Sequence, residues 1–178
     1  MTANIDLHLH TVASDGRLTP AELVRLVAKR GLKTIAITDH DSTEGLAEAY
    51  EAAKEFPELR IIPGIEMSAE IPGDEVHVLG YFLDYQDEQF QTTLREFRMG
   101  RVNRAQVMVE KLEALGKPVE WERVLHFAGD GSVGRPHIAL AMVEAGYFNE
   151  PKEAFDEYLG NGGLADYERP KLNPIESV

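Results

Sequence analysis

Near its start the chain alternates between two periodicities, and this limits its fold more than any other feature. Three short apolar runs, at 5–9, 34–38 and 60–65, are separated by two stretches with helical spacing. A chain that reads strand, helix, strand, helix, strand folds as parallel strands joined by helical crossovers. The second run, Thr34-Ile35-Ala36-Ile37-Thr38, is β-branched and mostly apolar, which predicts a strand buried on both faces. Thr19-Pro20-Ala21-Glu22 has the form of a capping box with proline at the first helical position. Leu23, Leu26 and Val27 continue it as an apolar stripe, and Gly31 supplies the stop. A second helix, rich in Ala and Glu, is predicted over 43–56.

In parallel barrels functional groups collect at the C-terminal ends of strands. His8 and His10 alternate with Leu7 and Leu9, so both imidazoles share one face of the first strand. Asp15 follows in a Ser-Asp-Gly turn that can bend its carboxylate back toward them. Asp39-His40-Asp41 ends the second strand, and Glu66 ends the third. Beyond it, 67–71, a turn at 72–75 and 76–82 predict a hairpin whose return strand carries His77. Imidazole and carboxylate without any cysteine suit Zn, Mn or Fe(II). Taken singly, each residue is explained as well by a solvated loop or a polar strand face. Asp39 and Asp41 read at least as well as acceptors for turn amides, or as supports for an imidazole, as they do as ligands. Taken together, His8, His10, Asp15, His40, Glu66 and His77 predict a metal site, and a carboxylate such as Glu66 can bridge two ions. Two or three such ions form the clamp used in phosphoryl or acyl hydrolysis.

A chain of 178 residues, 43% of them hydrophobic, is expected to form one globular domain. Without cysteine it has neither disulfides nor zinc–thiolate sites. No apolar signal segment opens it and no apolar run is long enough to span a bilayer, so a soluble, cytoplasmic protein without a membrane partner is expected. The net charge of −13 argues against a long nucleic acid held in a basic groove. A small anionic substrate stays compatible with that charge, because bound divalent ions reverse the local field.

The rest of the chain reads as helical. A long helix over 87–115 with Phe90, Leu94, Phe97, Val107, Met108 and Leu112 as its apolar set precedes helices at 119–127, 136–145 and 151–159. Three parts are therefore expected: an α/β body over 1–85, a helical insertion over 86–163, and a return to the body over 164–178. Gly134-Arg135-Pro136-His137 opens a helix, a natural anion site where Arg135 can grip a phosphate; ordinary capping explains it equally well. Arg98, Arg101 and Arg104 read as a solvated helix face, and His126 as structural. Asn173-Pro174-Ile175-Glu176 is again a helix start, with two residues after it, so the chain reads as cut at the start of an element. Three parallel strands would leave a strand edge open, and self-association is expected.

In order, H-L-H-T-x-x-S-D-G, I-T-D-H-D, P-G-I-E-M-S, H-V-L-G-Y and G-R-P-H-I-A resemble the motifs of PHP-domain (polymerase and histidinol phosphatase) proteins. The likeness covers nearly the whole chain and is greatest to the bacterial stand-alone nucleotide phosphoesterases. It implies a distorted (β/α)7 barrel, incomplete here, with up to three Mn, Fe or Zn ions. It assigns His8, His10 and Glu66 to one ion, Asp15 and His40 to a second, and Glu66 with His77 to a third. Arg135 and His137 match the segment that faces the substrate phosphate. A later histidine and an Asp-x-His pair of the family find no counterpart. The implied activity is hydrolysis of phosphate esters of nucleotides or short oligonucleotides through a metal-bridging hydroxide, with no general acid assigned. An amidohydrolase-like metallohydrolase and a non-catalytic, metal-stabilised module are the alternatives that the same donor set allows.

Overall fold

The computed structural model describes residues 4–71, 74–129 and 131–167. Two compact units divide the chain, with the boundary between Arg95 and Glu96.

In the first unit β1 (Ile5–Leu9), α1 (Pro20–Lys29), β2 (Thr34–Ile37), α2 (Gly45–Ala53), β3 (Arg60–Ile71) and β4 (Asp74–Tyr81) follow one another. They form a four-stranded sheet in the order β1-β2-β3-β4. β1 and β3 both run parallel to β2, as the alternation requires, and β4 returns antiparallel to β3. The expected third strand and the first strand of the expected hairpin are one continuous element of 12 residues. Its first part pairs with β2 and its second with β4, so Glu66 lies within a strand rather than at its end. Pro63 is accommodated because it stands at the last register position shared with β2. Pro72 and Gly73 of the expected turn lie outside the described residues, as does the helix start at 173–176.

The core of this unit is the layer between the sheet and its two helices. Ile35, Ala36 and Ile37 are all buried, as a central parallel strand demands. Leu23, Val24 and Val27 of α1 and Leu46 and Ala49 of α2 pack together with Ile35 and Ile37. Val24, not Leu26, completes the α1 stripe; Leu26 points outward and is 39% exposed. At the sheet edge β1 leaves Ile5 and Leu7 exposed, while Leu9 packs on the core. Tyr81 at the end of β4 donates its hydroxyl to Leu7 O (2.9 Å), a bond between the two outer strands that fits a curled sheet.

The second unit is helical: most of α3 (Glu88–Ala114), α4 (Trp121–Ala128), α5 (Arg135–Glu144) and α6 (Pro151–Ala154). Met108, Leu112, Val124, Ile138, Met142 and Leu159 form its core. The expected helix over 151–159 is α-helical only for its first turn. It then widens into a π-helical turn, Phe155–Leu159, closed by Gly160 N donating to Phe155 O (2.8 Å). Arg104 departs from the expected solvated face. It is buried, and it donates from Nε to Tyr167 O (2.7 Å) and from Nη2 to Asp166 Oδ1 (3.2 Å), pinning the segment after the π turn. Among the described residues no helix is long and apolar enough to cross a membrane.

The capping box at the start of α1 is complete: Glu22 N donates to Thr19 Oγ1 and Thr19 N to Glu22 Oε2. Thr19→Ala removes half of it and is expected to lower stability by about 1 kcal/mol, read from the midpoint of urea unfolding.

Candidate metal centre

Four imidazoles form a row. Ring centroids are 5.0 Å apart between His8 and His10, 4.9 Å between His10 and His40, and 4.9 Å between His40 and His77. The Glu66 carboxylate lies among them, almost fully buried. Its Oε2 stands 2.8 Å from His8 Nε2, 3.0 Å from His10 Nε2 and 3.8 Å from His40 Nδ1, while Oε1 meets His77 Nδ1. Asp15 closes the far side, 3.4 Å from His10 Nδ1 and 3.6 Å from His40 Nε2.

The backbone explains the convergence. After β2 ends at Ile37 the same register continues into one further parallel bridge, His40 opposite Glu66. Asp41 N donates to Glu66 O (3.0 Å) and Glu66 N to Asp39 O (3.2 Å). His77 pairs with Ser68, across β3 and one alternation beyond Glu66, so it reaches the same face. In β1 the register shifts between Asp6 and Leu9, the span that carries His8, an irregularity of the kind that re-aims side chains beside sites. The turn after β1 curls back on the strand: Ser14 N and Gly16 N both donate to Thr11 O (3.0 and 2.9 Å). A Cβ at Gly16 would lie 2.5 Å from the His10 carbonyl carbon, so only glycine lets Asp15 come this close. Gly64 serves β3 similarly, since a Cβ there would meet Ile37 O at 2.9 Å.

The six residues singled out in the sequence thus form three overlapping groups: His8, His10 and Glu66; His10, Asp15 and His40; His40, Glu66 and His77. Within each group the donor atoms lie within 4.8 Å of one another. All are nitrogen or oxygen donors, a set and spacing that fit divalent transition metals. Asp39 and Asp41 are buried and accept hydrogen bonds from the protein instead: Thr11 and Ser14 donate to Asp39, and Ser68 N to Asp41. Thr11, Ser14 and Tyr81 stand in the H-L-H-T-x-x-S-D-G and H-V-L-G-Y motifs, but the sequence assigns them no role, because their partners lie on other elements.

Arg135 and His137 belong to the helical unit. Arg135 Nη1 donates to Asn161 Oδ1 (2.9 Å) and to Leu159 O (3.3 Å). His137 is buried, and its Nδ1 accepts from Gly134 N (3.0 Å), capping α5.

Electrostatics follow from this packing. Burial pushes the Glu66 carboxyl up. Hydrogen bonds from His10 and His77, the charge of His40 and the bond from His8 outweigh it and hold Glu66 well below the usual carboxylate range. Burial opposes charge on His10, but the bond to Glu66 and the charges of Asp15, Glu66 and Asp39 leave its pKa raised. Asp39 is raised because burial outweighs the donors from Ser14 and Thr11.

An α/β sheet that gathers imidazoles and carboxylates into overlapping triads at one face has the donors to hold metal ions. The PHP domain model matches residues 6–159, and the chain belongs to the PHP domain family. It is 36% identical over 174 residues, 97% of its length, to the 5'-3' exoribonuclease Rnm of Salmonella typhimurium. It is 35% identical over 161 residues, 90% of its length, to the 3',5'-nucleoside bisphosphate phosphatase of Chromobacterium violaceum. The matches span 59% and 56% of those two proteins. A crystal structure from Bifidobacterium adolescentis, described as a metal-dependent phosphoesterase, superposes with a TM-score of 0.89 at 34% identity, covering 97% of this chain and 61% of that one.

Without metal, the depressed Glu66 stabilises the fold above about pH 4.5, and that contribution fades as pH falls toward its folded pKa. The raised His10 stabilises below about pH 6.5, and its contribution fades as pH rises through its folded pKa. Melting temperature in chelator is therefore expected to be highest in the mildly acid window. His10→Gln should remove the fall on the alkaline side; a flat profile in the parent chain would contradict the pairing.

Proposed function

We propose that this chain carries the metal-holding part of a phosphoesterase acting on phosphate esters of nucleotides or on the phosphate ends of short oligonucleotides. The observation that carries the reading is the sharing of one buried carboxylate, Glu66, between two donor groups, one with His8 and His10 and the other with His40 and His77. His8, His10 and Glu66 would hold one ion, Asp15 and His40 a second, and Glu66 with His77 a third. Mn, Fe and Zn all suit this mixture of imidazole and carboxylate. Bound there, the ions supply an activated water and neutralise charge developing on the phosphoryl group.

The protein's own groups do the rest. Glu66 stays ionised across the working pH range, so its two oxygens are always available to bridge. His10 stays free to ligate once the pH exceeds its raised pKa. Arg135 at the start of α5 would grip a non-reacting phosphate oxygen, with Asn161 and the Leu159 carbonyl aiming its guanidinium. His137, whose Nδ1 accepts from Gly134 N, would stand beside Arg135 at the same helix start. The general acid is unassigned.

The names of the relatives, an exoribonuclease and a nucleoside bisphosphate phosphatase, support a substrate that ends in phosphate. The net charge of −13 opposes gripping a long strand along its backbone, not taking its terminal phosphate. We further read the curled sheet as part of a (β/α)7 barrel over 1–85, with 86–163 as a helical insertion and 164–178 as a return to the body, in a cytoplasmic protein. The exposed Ile5 and Leu7 at the β1 edge favour self-association through that edge.

The test is a metal-loaded chain assayed against a nucleoside 3',5'-bisphosphate, a 5'-phosphorylated oligoribonucleotide and an amide. Phosphate release from the first two is expected. Arg135→Ala should lower kcat/KM about a hundredfold with metal content unchanged. Amide cleavage without phosphate release would transfer the site to the amidohydrolase alternative, and no turnover by fully loaded protein would leave a non-catalytic module.

A further inference from the structure

Two buried carboxylates stand outside the ligand groups and flank His40 in sequence. Each is committed to a different segment. Asp39 takes three donors from the turn after β1: Thr11 N and Ser14 Oγ at Oδ1 and Thr11 Oγ1 at Oδ2, all at 2.7 Å. Ser14 Oγ in turn lies 3.3 Å from His10 Nδ1 and 3.4 Å from Asp15 Oδ1. Asp41 faces the other way. Its Oδ1 accepts from Ser68 N (3.2 Å), two residues past Glu66 and directly opposite His77. Its φ of +49° lies in the left-handed region, which aspartate and asparagine tolerate better than other side chains.

We propose that Asp39 and Asp41 are positioning residues that tie His40 to two separate ligand-bearing segments, each governing a different metal group. Asp39 sets the group of His10, Asp15 and His40 through the 11–16 turn. Asp41 sets the group of His40, Glu66 and His77 through β3. The chemistry of the two posts differs. Asp39 meets three donors, which two carboxylate oxygens can accept and a single amide oxygen cannot. Asp41 needs an acceptor oxygen and the left-handed conformation, and asparagine offers both. Partners one layer behind metal ligands typically change affinity 10–100-fold when removed.

The inference rests on the metal groups proposed above, and the parent chain is its control. Co(II) is titrated into the 178-residue chain and its variants, with uptake read by equilibrium dialysis and geometry by the visible absorption spectrum. Asp39→Ala and Asp39→Asn are expected to weaken one ion at least tenfold and leave the others at parent affinity. Asp41→Ala should weaken a different ion, with a different spectral change, and Asp41→Asn should restore it. Ser14→Ala removes one donor while keeping Asp39, and should repeat the Asp39→Ala effect in weaker form even if that variant does not fold. Parent-like uptake in folded Asp39→Asn and Ser14→Ala would overturn the inference, as would loss of the same ion from the Asp39 and Asp41 variants. A parent chain that takes up no cobalt would instead overturn the metal reading beneath it.

Discussion

Glu66 is the group on which this structure turns. A carboxylate buried on a strand costs several kcal/mol unless it is paired and hydrogen-bonded. Here imidazoles from β1 and the residue after it, from the segment that follows β2 and from β4 supply that pairing. The same arrangement that makes the carboxylate tolerable in metal-free protein, protons shared between nitrogen and oxygen, presents the donors that divalent ions would take over. The site and the local stability of the sheet are thus one set of contacts.

Much of this was legible because two periodicities do not mimic each other. The β-branched run at 34–38 and the capping box at 19–22 gave a strand and a helix start that the structure reproduces. Alternation along β1 put His8 and His10 on one face, and both reach Glu66. The candidate ligands were legible because histidine and carboxylate recur along successive runs that read as strands, although Glu66 and His77 lie inside β3 and β4 rather than at their ends.

What stayed illegible depends on long-range partners. The third strand read as ending at Glu66, but β3 runs on to Ile71 because β4 takes over the pairing where β2 stops. Leu26 and Val24 are both apolar, and only the position of the sheet decides which one is buried. Arg104 looked like one of three solvated arginines; its burial depends on Asp166 and Tyr167, more than sixty residues away. The roles of Asp39 and Asp41 could be framed as alternatives but not decided, because their donors sit on other elements.

The change of partner within β3 has a consequence for how this hairpin can vary among homologous chains. His77 faces Glu66 only because of its pairing with Ser68. Side chains alternate along a strand, so a shift of one residue on either side of that pair would carry the imidazole to the opposite surface. Residues between Ser68–His77 and the hairpin tip are not bound by this rule, whereas those between the pair and Tyr81 are. Tolerance to insertion should therefore change abruptly at one rung of the ladder: length is free on the distal side and fixed on the proximal side. The hairpin is two structures in series, a spacer and a gauge, with the boundary set by a histidine.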